Sequence, residues 1–218
     1  MGYDYAFPAS LFLDCLPFVS KDASRFYLQG VNVQPASSGG VNICATSGLI
    51  LLLANAPNGF ALENGSITIK TDKRLISACK AKIHQHQTMQ NWIAVKGTDV
   101  SVILDGDIFS HRGLVQANFP DLLIDGSFPN YMRAFPKERF PRVFNSHTFA
   151  LNPAYLGAFE HLGGKDGGIR LVAGDEDGGL YIVFHNQRQD VVGIIMPRRE
   201  APIEYPDWWL KQLKKEYV

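Results

Sequence analysis

The sequence has no net charge: 21 lysines and arginines offset 21 aspartates and glutamates. Overall electrostatics therefore give no pull toward nucleic acid, membrane or acidic ligand, and any such attraction must reside in a local patch. Cysteine is scarce. Cys15, Cys44 and Cys79 are an odd number without the paired spacing of a metal site, and no signal-peptide pattern is read ahead of them, which implies reduced thiols in a cytoplasm. Long apolar runs are missing as well. The longest, Gly48 to Ala54, is far shorter than the roughly 20 residues of a membrane-spanning helix and reads as a buried strand, so no membrane partner is expected. The chain lacks a P-loop, a dinucleotide fingerprint, a G-x-S-x-G elbow and a paired catalytic Cys-His signature. His84 and His86, with Cys79 upstream, fall on a predicted helix that splays the two imidazoles to different faces, which argues against a metal. Gly174 to Gly179 (GDEDGG) lacks the ligand spacing and terminal glutamate of a calcium loop and reads as a hairpin turn. No catalytic residue, metal or cofactor is expected.

What is present is the composition of a packed protein, with 46% hydrophobic and 19% charged residues over a length of 218 that suffices for a sizeable core. Phe7 to Ser24 has helical apolar spacing, with Ser10 as the expected N-cap and Pro17 interrupting it. Phe26 to Gln34 and Val41 to Ala54 read as strands of a hairpin about Ser37 to Gly40. A short strand, Ser66 to Lys70, then precedes a helix from Lys73 to His84 capped by Thr71 or Asp72. Strands are predicted at Gln90 to Val95, Asp99 to Leu104 and Asp107 to Gln116, the last two joined at Asp105-Gly106. A third round follows: a strand at Val143 to Leu151, a helix at Pro153 to Leu162 capped by Asn152, and strands at Ile169 to Ala173, Leu180 to His185 and Asp190 to Met196. A terminal helix spans Pro206 to Tyr217, with Trp208 and Trp209 as its anchor. One theme, strand and helix followed by an antiparallel run, thus occurs three times. It predicts an α/β (α+β) fold with antiparallel sheets and helices on one face.

Particular residues go further than periodicity. Arg25 to Val33 (RFYLQGVNV), with Cys44 to Leu51 (CATSGLIL) after it, resembles the second domain of the bacterial DNA polymerase III beta sliding clamp, where an R-Y-Y-L-x-G-V-like strand precedes A-T-D-G-H-R-L. Asp125 to Lys137 (DGSFPNYMRAFPK) is similar to that family's D-G-x-F-P-D-Y-x-R-x-x-P-K segment, and Ile194 to Arg199 (IIMPRR) to its V-M-P-M-R. Ser47 stands where the family has Asp, and Leu49 and Ile50 replace its His-Arg pair. The resemblance implies a DNA-clamp-like fold divided into residues 1–137 (two half-domain units), 138–200 (one half-domain) and a C-terminal helix, 201–218. This is half the number of units in a bacterial clamp subunit.

The same resemblance implies a peptide pocket walled by Leu28, Thr46, Gly48, Leu51, Pro136, Ile194, Met196 and Pro197, although Leu28, Leu51 and Ile194 also read as simple core residues. Aliphatic walls with a flexible methionine suit varied apolar anchors. The local case for DNA is the second helix, where Lys73, Arg74, Lys80, Lys82 and His84 cluster and Lys73, Ser77, Lys80 and His84 share a stripe. The solvated face of an amphipathic helix is the other reading of the same residues. The resulting expectation is a non-catalytic, cytoplasmic sliding-clamp-like processivity or scaffold factor. It would hold double-stranded DNA without sequence preference, recruit a DNA polymerase or repair proteins through their clamp-binding peptides, and form a homo-oligomer. A clamp-derived adaptor that no longer encircles DNA is the first alternative, and an unrelated α/β enzyme the second.

Overall fold

The computed structural model describes residues 2–62, 65–81, 90–104, 114–135, 151–163, 168–173, 180–184 and 188–197. Strand β1 (Tyr5–Pro8) leads into helix α1 (Ala9–Cys15), after which β2 (Gly30–Pro35), β3 (Val41–Thr46) and β4 (Ile50–Ala56) form a meander, followed by the two-residue β5 (Phe60–Ala61), which returns to pair with β1. The pattern recurs with β6 (Ile67–Lys70), α2 (Lys73–Lys80) and the meander β7 (Trp92–Lys96), β8 (Asp99–Leu104) and β9 (Leu114–Phe119). Helix α3 (Pro153–Gly157) precedes a third meander, β10 (Ile169–Ala173), β11 (Leu180–Phe184) and β12 (Val191–Ile195).

Two antiparallel sheets result, ordered β5-β1-β7-β8-β9 and β10-β11-β12-β4-β3-β2-β6. The first two repeats are interlocked. β1 leaves its own repeat to pair with β7, from Tyr5 opposite Val95 to Pro8 opposite Trp92, and β6 returns to pair with β2, from Gly30 opposite Lys70 to Val33 opposite Ile67. Alternation along the strands turns Tyr5, Phe7, Ile93, Val95, Val100 and Val102 of one sheet, and Val31, Val33, Val41, Ile43 and Leu52 of the other, into one core with Leu11 and Phe12 of α1 and Leu75 and Cys79 of α2. At about 25 cal/mol per Å² of apolar surface, burial of these large side chains is the main term holding the sheets to the helices.

The third meander joins the first directly, β12 pairing with β4 from Val191 opposite Ala54 to Ile195 opposite Ile50. Phe159 locks it: its ring meets Phe18 edge-on at 4.6 Å between centroids and lies over Gly193, where an added Cβ would come within 2.1 Å of the ring. Arg188 adds a polar tie, donating to Asp190 at 2.9 Å and to Asp14 of α1 at 2.7 Å.

Some local expectations differ from this structure. The first helix is a seven-residue piece whose N-cap position is Pro8, with no side-chain cap bond; Ser10 lies inside its first turn. Pro17 falls in the 3₁₀ turn Leu16–Phe18, which ends it. Phe26 to Leu28, expected to begin a strand, belong to a 3₁₀ turn, Ala23–Leu28, because the Asp22 carboxylate caps the Ser24 N–H and starts a helical turn despite the aromatic content. Val41 to Ala54 is two strands, folded at Gly48 in the left-handed region with φ of 87°. The second helix ends at Lys80, its cap supplied by Asp72, which accepts from the Arg74 and Leu75 N–H groups. Asn152 caps α3 as expected, accepting from Ala154 N–H, but the α-helix is a single turn followed by the 3₁₀ turn Glu160–Leu162. The Asp105-Gly106 turn, the strand at Val143 and the terminal helix lie outside the described residues, as do His84, His86 and the Gly174 loop.

Candidate functional site

The β3–β4 turn is built by hydroxyls. Thr46 Oγ1 donates to the Ile50 carbonyl at 2.8 Å and accepts from Gly48 N–H at 3.0 Å, so a buried threonine holds the loop in shape while Leu49 at its tip stays 48% exposed. In register, Thr46 faces Leu51 and Leu51 faces Ile194, which stacks three candidate pocket residues across β3, β4 and β12. Beyond the end of β12, Met196 N–H donates to the Leu49 carbonyl at 2.8 Å, which brings its half-exposed thioether beside the turn, followed by exposed Pro197. Leu51 and Ile194 form a buried cluster with Cys44 and Tyr131, onto which Phe128 and Phe135 pack. The F-P-N-Y segment therefore covers the outer face of the larger sheet. Tyr131 bonds Gln34 at the far side of that cluster, and burial pushes its phenol up to about 12.

Thr46, Gly48, Leu51, Ile194, Met196 and Pro197 are thus assembled around one turn. Leu51 and Ile194 supply a floor from within the core, and Leu49 and Met196 supply the exposed rim. Leu28 is buried in the 3₁₀ turn, whose Arg25 guanidinium approaches Gly48 so closely that an added Cβ there would sit 2.7 Å from it. Pro136 lies outside the described residues. Arg25 escaped the sequence reading because its position depends on a turn that local propensity misassigns.

On α2, Lys73, Arg74, Ser77 and Lys80 are exposed while Leu75 and Cys79 are buried, so the cations form the solvent face. Arg74 is partly committed: it donates to Asp72 at 3.2 and 3.3 Å, and these bonds hold the Asp72 carboxyl below its ordinary range. No acidic side chain occupies the first turn of the helix itself, where Lys73 and Arg74 stand against the helix dipole. An open depression of about 510 Å³ runs between this face and β9, lined by Lys73, Arg74, Ser77, Gln116 and Phe119 among others. Neither α1 (ASLFLDC) nor α3 (PAYLG) carries a lysine or arginine. Lys82 and His84 lie outside the described residues. Burial raises the Cys79 thiol to about 12, which suits packing and not nucleophilic chemistry. Among the described residues no group of three or more His, Cys, Asp or Glu side chains is placed to hold a metal, and no helix is long and apolar enough to cross a membrane.

No protein-family model matches the sequence, and no curated protein matches it. Solved structures do match. The DNA polymerase sliding clamp of Pseudomonas aeruginosa is similar at a TM-score of 0.64 and 13% identity, over 92% of this chain and 67% of that one. The beta clamp of Helicobacter pylori, solved bound to a DNA ligase peptide, gives 0.63 and 12% over 91% and 66%. The DNA polymerase III beta subunit of Thermotoga maritima gives 0.60 and 14% over 92% and 67%. The chain has the α+β fold of the bacterial DNA polymerase III beta sliding clamps, over a span of about two thirds of their length.

Proposed function

We propose that the protein is a non-catalytic, clamp-like scaffold that takes a short linear peptide of a replication or repair protein into the groove at the Gly48 turn and holds duplex DNA through the cations of α2. The observation that carries this reading is the β4–β12 pairing. It sets a turn from the first repeat, with Leu49 at its tip, beside Met196 from the third, so the exposed rim is shared between distant parts of the chain. An apolar floor with a methionine at its lip accepts varied aliphatic and aromatic anchors. The peptide seen on the Helicobacter pylori clamp supports a ligand of this class. The two lysines and one arginine on α2 support phosphate contact without base reading. Residues 1–137 would act as a domain of two half-units, extended by a half-domain over 138–200 and the helix of 201–218.

A clamp-motif peptide titrated by fluorescence anisotropy should bind, and Met196→Asp should weaken it at least tenfold by putting a carboxylate at the apolar lip. Saturable binding unaffected by Met196→Asp would place the ligand elsewhere. DNA is read separately. The salt dependence of duplex binding should lose up to about 2.7 units of slope when Lys73, Arg74 and Lys80 are changed to alanine, at about 0.9 per phosphate contact. An unchanged slope removes α2 from the DNA interface.

The absence of cations from α1 and α3 favours, as a second reading, an adaptor that keeps the peptide groove without holding DNA. Peptide binding with no measurable duplex binding at low salt would select it.

A further inference from the structure

The open depression beside α2 owes its shape to an irregularity in β9. Gln116 and Ala117 both line this hollow of about 510 Å³, although neighbours on a regular strand point to opposite faces. The register explains it. Val102 pairs with Ala117 and Ile103 with Val115, so Gln116 is an extra residue without a partner on β8, a β-bulge. Such a bulge re-aims one side chain, and here it brings the Gln116 amide to the hollow. The walls divide by chemistry. Ala78, Ala81, Ala117 and Phe119 are apolar, whereas Lys73 and Arg74 stand together at the start of α2, both exposed. Arg74 commits Nε and Nη2 to Asp72, which leaves its Nη1 group to an incoming anion. Lys73 has no carboxylate partner among the described residues.

We propose that this hollow is a second docking site, separate from the Gly48 turn, for an acidic and apolar peptide segment of a partner protein. Its carboxylates meet Lys73 and Arg74, and an aliphatic or aromatic side chain beside them covers Ala78, Ala81 and Ala117. Gln116 bonds the peptide backbone between the two: its amide carries a donor and an acceptor, and a peptide unit offers both in return. The confinement of charge to one end decides the class of ligand. A nucleic acid strand has a phosphate at every nucleotide and would lay some of them over the apolar floor, where their lost hydration is not made good. Phe119, only 8% exposed, offers no face on which a base could stack. An acidic peptide instead places charge and apolar bulk where the walls ask for each. The site rests on the hollow itself and not on the reading of α2 as a DNA contact. It draws on the same two cations, so a duplex held there and the peptide would exclude one another.

The test titrates the full chain, at low salt and without DNA, into a fluorescein-labelled peptide in which two glutamates adjoin a leucine and a phenylalanine, read by anisotropy. Saturable binding is expected. Replacing the leucine and phenylalanine of the peptide by serine, with its charges kept, should weaken binding at least tenfold. Lys73→Glu combined with Arg74→Glu should do the same, at positions where the helix dipole favours acidic residues and the fold is not at risk. Gln116→Glu, on the exposed bulge, should also weaken it by setting a carboxylate against the peptide's own, with the far-ultraviolet dichroism of the chain unchanged. No saturable binding overturns the proposal, and so does equal affinity for the serine peptide, which would reduce the site to charge attraction. Displacement of the label by an unlabelled clamp-motif peptide would put the ligand at the Gly48 turn. Displacement by a single-stranded oligonucleotide whose own binding is lost in Gln116→Glu would give the hollow to nucleic acid. Either result overturns the proposal, while the salt-slope test of α2 stands or falls on its own because no duplex is present here.

Discussion

Tyr131 shows how one side chain connects the recognised segment to the sheet beneath it. Its ring fills the cluster with Cys44, Leu51 and Ile194, and its hydroxyl bonds Gln34. The folded phenol keeps its proton to about 12, whereas an unfolded one releases it near 10. The stability this contributes is complete below the lower value and is lost as pH rises through the higher, since the unfolded chain binds fewer protons in that window. Urea midpoints should therefore fall on the alkaline side in the native protein. That decline should be shallower in Tyr131→Phe, the buried Cys15, Cys44 and Cys79 thiols, which burial also raises, supplying the rest, and the variant should also lose about 1 kcal/mol at neutral pH with the hydrogen bond to Gln34. An alkaline decline of the same size in Tyr131→Phe would assign it to another group. Single residues were unevenly legible in the sequence. Asn152 was read correctly as a cap and Asp72 was one of two candidates, with Thr71, because a short polar side chain before an apolar run has one local job. Ser10 misled for the same reason, since Pro8 fixes the helix entry instead.

Among the elements, the contact between Phe159 and β12 decides how the third meander sits. Gly193 is required there because the ring occupies the space of a side chain. Gly193→Ala should cost about 1 to 3 kcal/mol by overpacking, with the ring forced off its seat against Phe18. Thermal denaturation would check this, and an unchanged midpoint would mean that the ring moves freely. Meander strands were legible wherever β-branched and apolar residues alternate, as in β8 and β10, whose bounds match the sequence reading. The β3–β4 hairpin was not, because its turn is made by Thr46 and Gly48 inside an unbroken apolar run and carries no Asn-Gly or Asp-Gly signal. Arg25 was hidden with it: its approach to Gly48 depends on a 3₁₀ turn that aromatic residues disguise as strand.

For the whole molecule, the threefold rhythm and the clamp-like segments were enough to anticipate the fold, while the pairing of β4 with β12 and the exchange of β1 and β6 were not. These join residues far apart in sequence, and local periodicity carries no record of them. The exchange also has a consequence in time. During synthesis β1 must remain without its main partner until β7 has been made, an interval of about 4 to 17 seconds at ordinary elongation rates. The first repeat alone, residues 1–62, should accordingly give the dichroism of an unfolded chain, whereas folded signal from that fragment would show that its meander stands by itself. A nascent chain of this design keeps β1 open until β7 is made, and the outer edge of β4 open until β12 is made. Its window of vulnerability to aggregation is therefore set by the ribosome's pace, and closes in stages as β6, β7 and finally β12 emerge.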